Sequence, residues 1–342
     1  MIGCYSENAG AIPRLAVKFL KGYLPLPDLD IIIVNWNAGQ QLRDCLESIE
    51  TTTRDGFGLK RVVVVDNGSM DGSAECFDDL DLPLIVIRNT ENRGFAAACN
   101  QGAADSRSDY LLFLNPDTRL FPESMGRPIR FMQLPENRDV GICGIQLTDD
   151  DHTIARTCAR FPTSSMFFAK MLGLDRLFPH LFPGHFMTEW DHGDTREVDH
   201  VMGAFFLVRR SVFEKLDGFD KRFFVYFEDL DFSFRARQVG WRSYYLACVQ
   251  AYHKGGGTSE QIKATRLFYS LRSRILYGYK HLAYWPATVL MLGTLLIEPF
   301  ARLAFAALNR SREHAQETLN GYAMLWRAMP ALFRSTTGDR RQ

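Results

Sequence analysis

Apolar positions along the chain alternate between short unbroken runs and stretches of helical period. Ile31 to Val34 is a continuous apolar, largely β-branched run, the pattern of a strand buried on both faces. Gln40 to Glu50 instead spaces Leu42, Leu46 and Ile49 as one side of a helix. The alternation continues with strands at Arg61 to Val65, Leu84 to Ile87 and Tyr110 to Leu114. Between them a short helix is predicted at Gly72 to Leu80 and a small-residue helix at Gly94 to Ala104. Strands alternating with helices predict a doubly wound α/β sheet, parallel in this half, with helices on both faces. Such sheets bind ligands beyond the carboxyl ends of their strands.

The second half is less regular. Asp139 to Ile145 reads as a strand, and residues 149–197 as loop-rich chain. Ala204 to Val208 reads as a strand, followed by a helix that Ser211 and Glu214 would cap as a Ser-x-x-Glu box. A helix is predicted from Glu228 to Val239, stopped by Gly240, and then a strand from Ser243 to Ala247. These features divide the chain into a lead-in (1–28), an α/β domain (29–260, with halves 29–118 and 119–260) and a helical extension (261–342).

Both ends carry apolar segments with basic residues. In Pro13 to Leu24, Arg14, Lys18 and Lys21 alternate with apolar residues, as in a surface helix touching lipid or a docked N-terminal helix. Tyr284 to Ile297 is nearly uncharged, and Phe300 to Leu308 is apolar apart from Arg302. Glu298 and Pro299 interrupt them, leaving an apolar run shorter than the ~20 residues that cross a bilayer. Lys263, Arg266, Arg272, Arg274 and Lys280 precede this stretch, and Arg310 and Arg312 follow it. Helices lying on the cytoplasmic face of a membrane are favoured over a tilted span, a helical hairpin or plain packing helices.

Charge sharpens this picture. The 342 residues contain 40 basic and 40 acidic side chains, but the residues after His253 hold 13 Lys or Arg against 5 Asp or Glu. An acidic body with a basic tail argues against nucleic acid as a partner and for an anionic surface, such as a membrane, beneath the tail. The seven cysteines are scattered without a C-x-x-C pair, and the first ten residues lack the apolar core of a signal peptide. Free thiols and a cytoplasmic protein held at the inner membrane are the expectation.

Chemistry gathers at the predicted strand ends. The first strand runs into Asn35-Trp36-Asn37, and the second into Asp66-Asn67-Gly68-Ser69. The third leads to Asn92-Arg93-Gly94 and on to Asn100, and the fourth into Asn115-Pro116-Asp117. A nucleotide suits this edge. Trp36 offers a face for a base, Asp66 can accept hydrogen bonds from a base or ribose, and Gly68 and Gly94 permit close backbone approach. No dinucleotide fingerprint, Walker loop or nucleophile elbow is present.

Taken together, Ile31 to Asp117 resembles the nucleotide-binding half of family 2 inverting glycosyltransferases of the GT-A fold. Gly203-Ala204 through Arg209-Arg210 is similar to that family's acceptor-side strand. Gly218-Phe219-Asp220, followed by Phe223-Phe224 and Glu228-Asp229-Leu230-Asp231, resembles its acidic helix start. Gly240-Trp241 and His253 complete the order. The resemblance spans roughly residues 30–260 and is greatest to rhamnosyltransferases and related enzymes of cell-envelope polysaccharide assembly.

Transfer from a nucleotide-diphosphate sugar must neutralise a leaving diphosphate, which a divalent cation such as Mg²⁺ or Mn²⁺ does without proton transfer. Asp117 is the natural carboxylate ligand. The resemblance places Asn115-Pro116-Asp117 at the family's D-x-D position, with Asn115 as a neutral donor in place of the first acid. It also makes His253, read as lying after the last strand, the second protein ligand.

The acceptor hydroxyl needs a base, and Glu228 and Asp229 open the predicted helix. Asp229 and Asp231 cannot point the same way on a helix. The resemblance makes Asp229 the base, with Glu228 orienting the acceptor or supporting Asp229, and Asp231 behind them. Asn35, Trp36, Asn37, Asp66, Asn67, Arg93, Gly94, Asn100, Asn115 and Asp117 are then the donor-side residues, and Gly203, Ala204 and Asp231 lie on the acceptor side.

Two other functions compete. A sugar nucleotidyltransferase would need a Gly-rich loop right after the first strand, and Val34 to Gly39 lacks one. A non-catalytic, membrane-anchored protein binding sugar nucleotides or glycans is favoured only by Asn115.

Overall fold

The computed structural model describes residues 26–255 and 263–337. The predicted helix at Pro13 to Leu24, and Gly256 and Gly257 of the glycine run, lie outside these residues.

The first half follows the sequence pattern: β1 (Asp28–Asn35), α1 (Gln40–Thr51), β2 (Gly58–Asp66), β3 (Leu84–Arg88), α2 (Phe95–Ala103) and β4 (Tyr110–Leu114). These strands pair in parallel in the order β3-β2-β1-β4. Ile31, Ile33, Val62, Val64 and Leu112 pack one face of the sheet, and Ile32, Val63, Val65 and Phe113 the other. Helix α2 lies close because it presents Gly102, where a Cβ would sit 2.6 Å from Ile32 Cγ2. At the amino edge of β1, buried Asp30 accepts hydrogen bonds from Arg61, Ser106 and Ser108, which anchors the strand away from the site.

The chain continues through β5 (Thr118–Leu120), α3 (Gly126–Gln133), β6 (Val140–Thr148), β7 (Cys158–Ala159), α4 (Ser164–Met171) and the single turn α5 (Leu174–Leu177). Then come β8 (Arg196–Val198), β9 (His200–Val201), β10 (Phe205–Arg209), α6 (Arg210–Lys215), α7 (Glu228–Gln238) and β11 (Arg242–His253). Strand β10 inserts antiparallel between β4 and β6, and the order runs on through β11 to β5, giving one mixed nine-stranded sheet with β8 paired to β11. Strands β7 and β9 form a separate two-stranded ribbon.

Three expectations change. Gly72 to Leu80 forms turns, not a helix. Gly72 and Cys76 both adopt left-handed backbone, and the Asp71 carboxylate is occupied by Gly39 N–H and by Ser73. The capping box at Ser211 does not form, because α6 already begins at Arg210 and no side chain caps it. Arg210 instead bonds Glu214 one turn on, at 2.6 Å. The strand predicted to end at Ala247 runs to His253 across an irregularity between Leu246 and Gln250, so His253 is the last residue of β11.

The extension forms α8 (Lys263–His281), α9 (Tyr284–Leu296), α10 (Glu298–Leu308) and α11 (Arg312–Thr337). Leu271, Ile275, Tyr277, Leu290 and Leu325 share a core with Phe167, Phe223 and Leu230 of the α/β domain. Several basic residues of this region serve internal pairs: buried Arg274 pairs with Glu298, Lys263 with Glu313, and Lys280 with Asp220 and Asp231.

Candidate active site

Parallel register sets Asn35 beside Asp66 at the carboxyl edge of β1 and β2. Asn35 is fully buried, and the two amide hydrogens on its Nδ2 are shared among Asp66 Oδ1 (2.9 Å), Ser69 Oγ (3.0 Å) and Ser73 Oγ (2.8 Å). The next loop is cross-tied: Asn37 N donates to Ser69 Oγ, and Asn37 Oδ1 accepts from Met70 N. Half-buried Trp36 sits between these two anchored residues. Asn35 and Asn37 therefore hold this strand edge together, with the Trp36 ring and the Asp66 carboxylate between and beside them.

Asn67 is a brace. Its amide bonds Asn92 Oδ1, Asn89 Nδ2 and Arg93 N, fixing the loop that leads to α2. Arg93 itself is exposed and makes no ion pair among the described residues, leaving its guanidinium available to phosphate. Gly94 needs to be glycine: its φ is 86°, and a Cβ would lie 2.6 Å from Phe224 O. Asn100 does not join this group. Its amide is taken at both ends by the backbone of Phe219, at 2.7 and 2.9 Å, tying α2 to the segment between α6 and α7.

Past β4, the pairing of His253 with Thr118 brings the two ends of the domain together. His253 Nε2 stands 3.3 Å from Asp117 Oδ1, and both side chains are about nine-tenths buried. Among the described residues no set of three or more His, Cys, Asp or Glu converges on one point. The Asp117 carboxylate and His253 imidazole are an oxygen and a nitrogen donor of the kind a divalent cation accepts, with Asn115 two residues before Asp117 in the same turn.

The acid cluster is built on strain. Tyr226 and Phe227 both adopt left-handed backbone, which costs on the order of 1–3 kcal/mol each, immediately before α7. Phe95 N donates to Phe224 O at 2.6 Å, locking this lead-in to the start of α2. The helix then opens with its three acids pointing to three environments.

Asp229 accepts Gly203 N–H on Oδ2 and Leu230 N–H on Oδ1, both at 2.8 Å. Glu228 is buried with Oε2 lacking a partner among the described residues. Burial, followed by the nearby Asp229 carboxylate, pushes the Glu228 pKa well above the usual carboxylate range, which favours its neutral form. Burial alone would raise Asp231, but its bonds to His281, Arg235 and Lys280 hold it below that range.

One connection joins the two halves of the site. Asn115 N donates to Ala204 O at 3.0 Å, and the adjacent residue, Gly203, donates to Asp229. The Asn115–Asp117 turn and the Asp229 carboxylate are thus held by neighbouring residues of one chain segment at the head of β10.

A sequence profile of the family described as Glycosyl transferase family 2 matches residues 30–217. The chain belongs to glycosyl transferase family 2. N-acetylglucosaminyl-diphospho-decaprenol L-rhamnosyltransferase of Mycobacterium tuberculosis (strain ATCC 25618 / H37Rv) is 23% identical over 313 residues, covering 86% of this chain and 98% of that protein. Rhamnosyltransferase WbbL of Escherichia coli (strain K12) is 28% identical over 171 residues, covering 49% of this chain and 61% of that one. Among solved structures, GalNAc-T7 with UDP, GalNAc and Mn²⁺ superposes with a TM-score of 0.50 at 15% identity, covering 75% of this chain and 50% of that one. That likeness concerns the fold, the GT-A architecture anticipated from the sequence. This family 2 glycosyltransferase thus has rhamnosyltransferases among its relatives.

Sequence reasoning missed His200 and Ser233, which lie against Asp229. A single His in Asp199-His200-Val201 carries no spacing signal. Only the β7–β9 ribbon, itself unpredicted, brings it to α7.

Proposed function

We propose that this enzyme is an inverting, cation-assisted transferase that moves a sugar from a nucleotide diphosphate to a hydroxyl of a glycan or lipid-linked saccharide. The observation that carries the reading is the Asn115–Ala204 and Gly203–Asp229 link, which ties the Asn115–Asp117 turn and the Asp229 carboxylate to one segment. Asp66 and Trp36 hold the nucleotide, and Arg93 reaches its phosphates. Asp117, His253 and Asn115 would hold Mg²⁺ or Mn²⁺, which supplies fixed positive charge to the leaving diphosphate. Asp229 takes the acceptor proton as the hydroxyl attacks the anomeric carbon from the opposite side, inverting it. Neutral Glu228 is suited to donate a hydrogen bond to the acceptor. Asp231 aligns the helix.

Rhamnose is the donor sugar we favour, on the names of the relatives, with a lipid-diphosphate saccharide as acceptor. We take residues 29–118 and 119–260 as donor and acceptor halves and 261–342 as a surface anchor on the cytoplasmic face of the membrane. The segment Tyr284–Leu308 contains an 18-residue window with a mean hydropathy of 1.7 and is long and apolar enough to cross a membrane by length and composition. We favour attachment along one side, because Trp285, Val289, Leu292, Leu296 and Phe300 form an exposed stripe while Ala287, Leu290 and Leu295 pack inward. Asn115, in place of a carboxylate, favours the alternative of a non-catalytic binding protein.

A panel of nucleotide sugars, including dTDP-L-rhamnose, UDP-N-acetylglucosamine and GDP-mannose, offered with Mg²⁺ or Mn²⁺, separates the two. Slow nucleotide release from one donor, lost on adding EDTA, supports the transferase. Donor binding without release under any condition supports the binding protein.

A further inference from the structure

Two backbone N–H groups bond the Asp229 carboxylate, one to each oxygen. A second side chain lies beside it. His200, buried on β9, places Nε2 3.6 Å from Asp229 Oδ2. Its Nδ1 lies 3.2 Å from Ser233 Oγ.

The tautomer follows from counting hydrogens. Ser233 has one hydroxyl hydrogen, and it is donated to Asp229 O at 2.9 Å. On that assignment of the hydroxyl hydrogen, Ser233 accepts from His200, Nδ1 carries the ring proton and Nε2 is bare. Two lone pairs then face each other across a gap too long for a hydrogen bond. The titratable groups around the ring are Asp229, Asp199 and His185. Burial lowers the imidazole pKa, against the pull of Asp229 and Asp199, and keeps the ring neutral.

We propose that His200 is the proton partner of Asp229: the proton that Asp229 Oδ2 takes from the acceptor is shared with the bare Nε2 of His200. The step balances. The acceptor O–H bond breaks, the bond from acceptor oxygen to the anomeric carbon forms, and the bond from that carbon to the diphosphate breaks. The proton moves to Oδ2, Oδ2 and Nε2 then close from 3.6 Å into an O–H···N hydrogen bond, and the proton is lost to water after product leaves. His200 acts through Asp229 and is a positioning residue. The inference rests on the transferase reading only for its role in turnover; the pairing itself can be measured without a substrate.

The test is ¹⁵N NMR of histidine-labelled full-length protein, with His200 assigned by its loss in His200→Gln. The expected result is the Nδ1–H tautomer, titrating below the usual histidine range. Asp229→Asn should lower that pKa by about one unit, because a neighbouring negative charge is gone. Ser233→Ala should populate the Nε2–H tautomer. An Nε2–H ring in the wild type, or a His200 pKa indifferent to Asp229→Asn, overturns the pairing.

The turnover arm uses whichever donor of the panel is hydrolysed. Activity should fall on the acid side as His200 protonates. In His200→Gln that limb should move to lower pH, with kcat down about 10- to 100-fold and donor KM unchanged. An unaltered pH profile in a folded variant overturns the role. Hydrolysis of no donor by any form counts against the transferase reading, while the NMR result still decides the pairing.

Discussion

Gly203 N–H meets Asp229 Oδ2 at 2.8 Å, and a Cβ on residue 203 would stand 3.0 Å from that same oxygen. The carboxylate is held by backbone on two sides, so its direction is set before any substrate arrives. Replacing it isolates its chemistry. Asp229→Asn should slow transfer by about 10²- to 10⁴-fold while leaving donor affinity unchanged in a thermal-shift titration. Near-normal turnover would remove Asp229 as the base.

The Asp117–His253 contact predicts metal-dependent donor binding. Asp117→Ala or His253→Ala should weaken donor binding in the presence of Mn²⁺ by about 10- to 100-fold. Calorimetry with and without EDTA reads this, and equal affinities in both conditions would refute the assignment.

Glu228 makes a prediction about stability. Its folded pKa is raised, so the folded state holds a proton that the unfolded chain releases above the ordinary glutamate range. Wild-type stability should then decline with rising pH by up to about 1.4 kcal/mol per unit. Glu228→Gln should flatten this slope and be the more stable protein at pH 8 in urea unfolding. Parallel profiles would show that Glu228 is charged.

Asp231 behaves oppositely. Its depressed pKa contributes stability at neutral pH that is lost as pH falls below the unfolded value of about 4. Asp231→Asn leaves Arg235, Lys280 and His281 without their common partner and should cost about 3–5 kcal/mol. Unfolding midpoints between pH 3 and 7 should converge for the two proteins at the acid end.

How far the sequence foretold this site depends on the range of each interaction. The runs at Ile31, Arg61 and Tyr110 gave their strands away because burial on both faces leaves only apolar residues. The turn chemistry at Gly72 overrode a helical pattern, since two left-handed residues and one carboxylate decide a nine-residue stretch. Asp117 and Asp229 were legible from their motifs. The Asp231 partners Lys280 and His281 lie about 50 residues away. No local pattern relates them. Likewise, His200 finds Ser233 only through a ribbon of two-residue strands.

The exposed stripe on α9 and α10 predicts lipid attachment. Trp285→Asp with Phe300→Asp should reduce co-sedimentation with vesicles containing anionic lipid and leave donor hydrolysis intact. Unchanged sedimentation would exclude this face.

Lys280 reaches both Asp220 and Asp231, and Phe223 and Leu230 sit in the same core as α9 and α11. Shortening the protein to obtain a detergent-free catalytic fragment would therefore strip the floor from beneath the acidic helix. Surface exchange, not truncation, is the route to a well-behaved preparation. With the extension on a membrane, as proposed, the same packing would fix the tilt of the acidic helix to that surface.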